Sequence, residues 1–286
     1  MALFLDYEQE ALDRQLEPRT GVADLERAMA RNGELAAAAL RLRTAVDVSY
    51  GPRELEKLDL YAASRSGAPI LIFCHGGGWQ ARSKEDAALL APALMAAGIS
   101  LVTLDFEPVS AHGLEQMVAQ IRRAIAFIYA NAAAWGADPS NLHIAGHSSG
   151  AHLAAMQLAD GWQAALGLPT DTIKSAVLLS GLYDLEPVRL SFRNQALKLD
   201  AQSARSLSPL YQLGHPRPLI VAWGDLETEE FQRQSHVLAA AATSVGFTVD
   251  SGAQPHCHHF NIMQAVIQPD GSLYRRLLTQ LNISRL

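Results

Sequence analysis

Apolar and polar positions change rhythm along the chain. Residues 7–43 are dominated by Ala, Leu, Glu and Arg, which predicts helix, with Pro18 and Gly21 marking breaks. Two short runs follow, Val46–Tyr50 and Leu55–Tyr61. In the second, Leu58 and Leu60 alternate with Asp59 and Tyr61, as in a half-exposed antiparallel strand. From Ile70 onward, short apolar runs alternate with helical stretches. Buried strands are expected at Ile70–Cys74, Ser100–Leu104, Leu142–Ala145, Ala176–Ser180 and Leu219–Trp223, with a more polar one at Phe247–Ser251. Met117, Ile121, Ile125 and Ile128 recur at helical spacing, so Leu114–Ala133 should be one amphipathic helix. This alternation implies an α/β fold: an eight-stranded, mostly parallel sheet flanked by helices. The stretch 186–214 has no strand signal. It should rise above the sheet and, with the N-terminal segment, form a small helical cap. The expected division is a cap segment at 1–45 and one α/β domain at 46–286.

Composition acts mainly by exclusion. Of 286 residues, 49% are hydrophobic and 18% charged, enough for a large core and too little for a disordered tail. The net charge of −6 comes without a basic patch, which argues against a nucleic-acid partner. Cys74 and Cys257 supply neither a disulfide framework nor a thiolate zinc site, and fit a reducing compartment. No run reaches the ~20 apolar residues of a membrane helix. The N-terminus has an early acid and no positive region, unlike a secretory signal. A cytoplasmic protein without a membrane partner is the expectation.

Candidate chemistry sits at strand ends. Gly146-His147-Ser148-Ser149-Gly150 follows the strand Leu142–Ala145 and precedes a good helix start, Ala151–Met156; Asp138–Asn141 reads as a turn feeding the strand. A Gly-x-Ser-x-Gly turn from strand to helix is so sharp that side chains at its ends would strike backbone, and it exposes the serine hydroxyl. A Gly/Ser-rich turn without chemistry is the bland alternative, which the flanking strand and helix disfavour. His75-Gly76-Gly77-Gly78-Trp79 follows another strand. Its glycines allow the N–H groups of Gly76 and Gly77, with that of Ser149, to approach a developing oxyanion. No phosphate-cradling glycine pattern is present, so a nucleotide loop is disfavoured.

A serine nucleophile needs a base and an acid, and both should follow Ser148 on late loops. Gly224-Asp225-Leu226-Glu227-Thr228-Glu229-Glu230 supplies carboxylates; Glu229 and Glu230 suit the opening of a helix. Spacing alone does not separate Asp225 from Glu227. The base is His256, His258 or His259, the last placed before a predicted helix, Phe260–Ile267. Adjacent histidines converge poorly on one ion, so no metal or other cofactor is expected.

These motifs together resemble the hormone-sensitive-lipase-like branch of α/β hydrolases. The chain is more narrowly similar to the kynurenine formamidase group and its carboxylesterase relatives, through Leu58–Tyr61, Gly146–Ala155, Ser180–Pro187 and Glu227–Ser235. The resemblance implies an α/β-hydrolase fold and a triad of Ser148, Glu227 and His259. Glu227 stands four residues before the Phe of the family's Glu-Phe-x-Arg-Gln-Ser stretch, and His259 precedes a Phe. It also implies a small ester substrate, or alternatively an N-formyl arylamine. Gly78 departs from the tyrosine often found there, and Asp105–Pro108 is shortened, both beside the expected pocket. Trp79, Phe106 and Tyr183 are expected to line that pocket. The N-terminal helices should cover either the active-site mouth or a second copy in a homodimer.

Overall fold

In the computed structural model, residues 2–283 are described, and eight strands form one sheet. In chain order these are β1 (Ala45–Ser49), β2 (Lys57–Tyr61), β3 (Ala68–Cys74), β4 (Ser100–Leu104), β5 (Ala137–His147), β6 (Ile173–Leu179), β7 (Leu219–Gly224) and β8 (Val249–Gln254). The spatial order is β1-β2-β4-β3-β5-β6-β7-β8. β2 runs antiparallel to both neighbours and every other pairing is parallel. β3, β4 and β7 are buried along their whole length because helices cover both faces. One apolar core contains Ile70, Ile72, Ile121, Ile125 and Ile144; the other contains Leu71, Phe73, Val177, Ile220 and Leu277.

The strand order fixes where a site can form. The chain proceeds from β3 to β4 on one side, then returns to place β5 on the other. Loops leaving the C-terminal ends of β3 and β5 therefore diverge and leave a crevice. Those loops begin with His75 and Ser148. Further helices rise from this edge at Leu185–Leu190, Asn194–Leu197 and Ala201–Ser206, within the stretch that lacked strand signal.

The N-terminal segment forms α1 (Gln9–Gln15) and α2 (Leu25–Ala39). It is pinned to the same edge by polar contacts as well as by buried Leu12 and Leu16. Thr228 Oγ1 donates to the Gln15 carbonyl (2.6 Å), Phe192 N–H to Asp13 (2.7 Å), and Asn32 Nδ2 to the Phe260 carbonyl (2.6 Å).

Five local expectations shift. The half-exposure expected of Leu58–Tyr61 is not found: β2 is buried throughout that run, with Asp59 taken up in an ion pair with Arg43 (3.1 Å). Asp138–Asn141 belongs to β5, not to a turn. Ala68 pairs with Ala137 and Ile70 with Leu142, so the extra residues bulge, stabilised by Ser140 N–H and Oγ–H bonds to Asp138 (2.8 and 2.7 Å). β6 stops at Leu179, because Ser180 turns to φ 52°. The last strand starts at Val249 rather than Phe247, whose N–H still caps the preceding helix at the Ala242 carbonyl (3.0 Å). The helix after His259 covers only Ile262–Ala265; the residues before it form a turn in which the Asn261 side-chain oxygen accepts from His258 N–H (2.8 Å). Among the described residues, no helix is long and apolar enough to cross a membrane.

Candidate active site

The elbow at Ser148 exists because two glycines leave no room for side chains. A Cβ on Gly146 would stand 2.2 Å from the Gly150 carbonyl oxygen, and one on Gly150 would stand 2.1 Å from that of Cys74. Ser148 itself takes φ 57°, ψ −125°, a strained conformation for a non-glycine residue. Its N–H donates to Leu179 O (2.9 Å), tying the turn to the end of β6. Ser149 opens the helix Ser149–Ala155, so its N–H lacks an intrahelical partner.

Three side chains from three loops meet in a line. His259 Nε2 lies 2.9 Å from Ser148 Oγ, and His259 Nδ1 lies 3.1 Å from Glu227 Oε2. A carboxylate only accepts, so Nδ1 carries the imidazole proton and Nε2 faces the serine hydroxyl as acceptor. Glu227 is 8% exposed, and its other oxygen accepts from Gly224 N–H (2.8 Å) and Ser180 Oγ (2.5 Å). The turned backbone at Ser180 is what brings that hydroxyl to the carboxylate. Asp225, left open by spacing, is exposed to solvent. We therefore expect Glu227→Gln to lower kcat roughly 10³–10⁴-fold, because an amide can present N–H to Nδ1 and stabilise the wrong tautomer. Asp225→Asn should stay within a few-fold of wild type. Steady-state kinetics on p-nitrophenyl acetate read both, and the reverse ranking would move the acid to Asp225.

The three clustered histidines point different ways. His256 is exposed, at φ 60°. His258 accepts from Phe260 N–H at Nδ1 (3.1 Å) and donates from Nε2 to Asp24 (3.0 Å), which ties the N-terminal segment to the loop carrying His259. His147, the variable residue inside the elbow, donates from Nε2 to the His259 carbonyl (2.8 Å) and holds that loop from the other side. Neither role was visible in sequence, because each partner lies over a hundred residues away.

The loop after β3 is braced in its own way. Gly77 takes φ 112°, and a Cβ there would stand 2.0 Å from the Ala81 carbonyl. A Cβ on Gly76 would lie 3.2 Å from Ser148 Cβ, so this backbone passes beside the serine. Among the described residues, no acceptor pairs with the N–H of Gly76 or Gly77. His75 donates from Nδ1 to the Gly76 carbonyl (2.7 Å) and stacks on Phe106 at 4.3 Å. Burial pulls the His75 pKa down to about 4 and pushes that of Asp105, 3.7 Å away, up to about 6.

A cavity of about 390 Å³ opens over Ser148. Gly76, Gly77, His147 and His259 form its floor, while Pro18, Met29 and Asn32 from the N-terminal segment and Phe192 and Arg193 from the 186–214 stretch supply wall residues. The three aromatic residues expected in this wall stand behind it. Trp79 is buried, its indole N–H donating to His152 Nδ1 (3.2 Å), and His152 in turn donates to the Leu207 carbonyl (2.8 Å). Phe106 is covered by His75, and Tyr183 is fully packed under Gly181. Each aromatic adjoins a strand end, where filling core outweighs lining an opening. The actual wall residues lie far from the motifs in sequence, so no motif pointed to them.

Comparison with known proteins agrees with this fold. The BD-FAE family model matches residues 58–173. Kynurenine formamidase of Danio rerio is 33% identical over 250 residues, covering 85% of this chain and 83% of the relative. An isoprenylcysteine alpha-carbonyl methylesterase of Arabidopsis thaliana is 31% identical over 159 residues, 52% of this chain and 37% of that one. Esterase B from Lactobacillus rhamnosis shares the fold with a TM-score of 0.72 at 16% identity, over 93% of this chain and 95% of its own. Sheet, elbow and relatives converge: the chain is an enzyme of the hormone-sensitive-lipase-like α/β hydrolases and belongs to the kynurenine formamidase family.

Proposed function

We propose that the protein cleaves small carboxylic esters through an acyl-enzyme, with Ser148 as nucleophile, His259 as base and then acid, and Glu227 orienting the imidazole. The observation that carries this reading is the hydrogen-bonded line from Glu227 through His259 to Ser148 at the floor of an open cavity. His259 takes the hydroxyl proton as Ser148 attacks the carbonyl, and Glu227 stabilises the imidazolium. The oxyanion falls to the N–H groups of Gly76, Gly77 and Ser149; losing one such donor costs roughly 10²–10³ in rate. His259 then protonates the leaving group, and water repeats the sequence on the acyl-enzyme. Residues 1–45 act as a cap over a catalytic domain of residues 46–286, and the free thiols of Cys74 and Cys257 suit the reducing cytoplasm, where we place the protein.

A second reading, hydrolysis of N-formyl-L-kynurenine or a similar N-formyl arylamine, is favoured by the span of the Danio rerio likeness. The chemistry is the same with an arylamine leaving. Comparing kcat/KM for p-nitrophenyl acetate, p-nitrophenyl butyrate and N-formyl-L-kynurenine ranks the two. A fluorophosphonate should leave one adduct on the Ser148 peptide and abolish turnover. An adduct elsewhere, or full activity after labelling, would overturn the serine mechanism.

A further inference from the structure

The cavity wall contains a cation that has no carboxylate within 4.0 Å among the described residues. Arg193 reaches it from the turn between the helices Leu185–Leu190 and Asn194–Leu197. Its Nε–H donates to the Leu16 carbonyl (2.8 Å), and its guanidinium carbon lies 5.3 Å from the Phe192 ring centre. Nη1 stands 3.2 Å from where a Cβ on Gly78 would be, so the fork abuts the glycine loop two residues beyond Gly76. Among the described residues, neither terminal nitrogen has a hydrogen-bond acceptor, and no carboxylate lies within 4.0 Å of the guanidinium. Arg82, also at the mouth, is paired with Asp86 at 3.1 Å. Burial pulls the Arg193 pKa down while Glu17, another wall residue, pushes it back up. Glu17 already accepts from Arg19 N–H (3.2 Å).

A tether to Leu16 uses one of the five guanidinium donors. The others form a planar fork suited to two carboxylate oxygens, and a partly desolvated guanidinium gains most from such a partner. Among the described residues no carboxylate fills that place, which leaves it open to a ligand. We propose that Arg193 is an anion subsite and that the substrate is an acyl compound carrying a carboxylate on the part held away from Ser148. This inference rests on the serine-hydrolase reading and narrows its substrate class. Position 78 as glycine leaves the fork open to the cavity, where a bulky side chain would cover it.

The test compares 3- and 4-acetoxybenzoate with the matching neutral acetoxybenzamides at low ionic strength. The wild type should favour at least one benzoate isomer tenfold or more in kcat/KM. Arg193→Met should erase 10- to 100-fold of that ratio, chiefly through KM, while Arg193→Lys keeps part of it. Glu17→Gln, which removes a competing negative charge, should raise the ratio. A wild-type ratio near one for both isomers would overturn the inference, as would a ratio unchanged by Arg193→Met. If Arg193→Met does not accumulate as folded protein, the wild-type and Glu17→Gln ratios decide in the same way. Benzamide turnover that survives Ser148→Ala would instead bring down the serine mechanism, so the two failures are distinguishable.

Discussion

Ser148→Ala is expected to reduce kcat for p-nitrophenyl acetate by roughly 10⁴–10⁶-fold without unfolding the protein. The substitution removes one hydroxyl and nothing that supports the elbow. The N–H of Ser148 still reaches Leu179, and alanine at φ 57° carries the same backbone strain as serine. His259 keeps its bond to Glu227, so the base remains oriented with nothing to deprotonate. The oxyanion donors would still bind a carbonyl, and a residual rate roughly 10³–10⁴ above the uncatalysed reaction is expected from them and from binding. Adding His259→Ala should cost little more, because the two act as one unit. Stopped assays on purified variants, with melting followed by circular dichroism, read both quantities. A folded Ser148→Ala variant with a tenth of wild-type kcat would assign the nucleophile elsewhere.

Acid should destabilise the fold steeply between pH 6.5 and 4. His75, His143 and His152 are buried, and burial pulls the pKa of each down to about 4. Burial drives His147 well below the ordinary value as well, with the neighbouring His259 adding to the effect. Above pH 6.5 these rings are neutral whether the chain is folded or not, and they cost nothing. As pH falls from 6.5 towards 4, the unfolded chain takes up protons that the native state refuses, so stability drops. Each of the three rings contributes about 3 kcal/mol to that loss, while Asp105, raised to about 6, takes up its proton in the native state first and returns about as much as one ring costs; the net loss is still a large part of the roughly 5–15 kcal/mol that holds a domain together. Below pH 4 the native rings protonate too, and their contribution levels off. Chemical denaturation at intervals across this range measures the slope. His143→Gln tests the cause, since His143 sits on β5 between Ser175 and Asn141, away from the reaction. That variant should lose stability at pH 7 and show a shallower acid limb. A midpoint constant from pH 7 to 4.5 would contradict the account.

Much of this architecture is legible in sequence because its signals are local. Ile70–Cys74 and Leu219–Trp223 are continuous apolar runs, and they became fully buried strands whose ends fall close to the expected positions. The elbow and the glycine loop were readable for the same reason: their glycines answer steric demands from residues only a few positions away or from the adjacent strand. Asp225 and Glu227 could not be separated by spacing, because the choice depends on how one tight loop folds back over Gly224 and on Ser180, forty-seven residues earlier. The cavity wall was the least legible part. Trp79 attracted attention by its place in a motif and proved to be a strut, whereas Arg193 and Met29 carry no motif and face the opening. Side-chain direction at a strand end is decided by tertiary packing, which leaves no periodic trace.

The bonds that seat the N-terminal segment have a consequence for the order of assembly. Leu16 waits for Arg193, 177 positions later; Gln15 for Thr228, 213 later; and Asp24 for His258, 234 later. During synthesis the cap is made before any of its docking partners. It cannot close until the last loop has left the ribosome. Contacts of such long range form late and carry a high entropic cost of closure. The sheet can thus be complete while the mouth is still unbuilt, and a chain interrupted just after Glu227 would hold the proposed nucleophile and acid but lack His259 and the Thr228 and His258 bonds that seat the N-terminal segment.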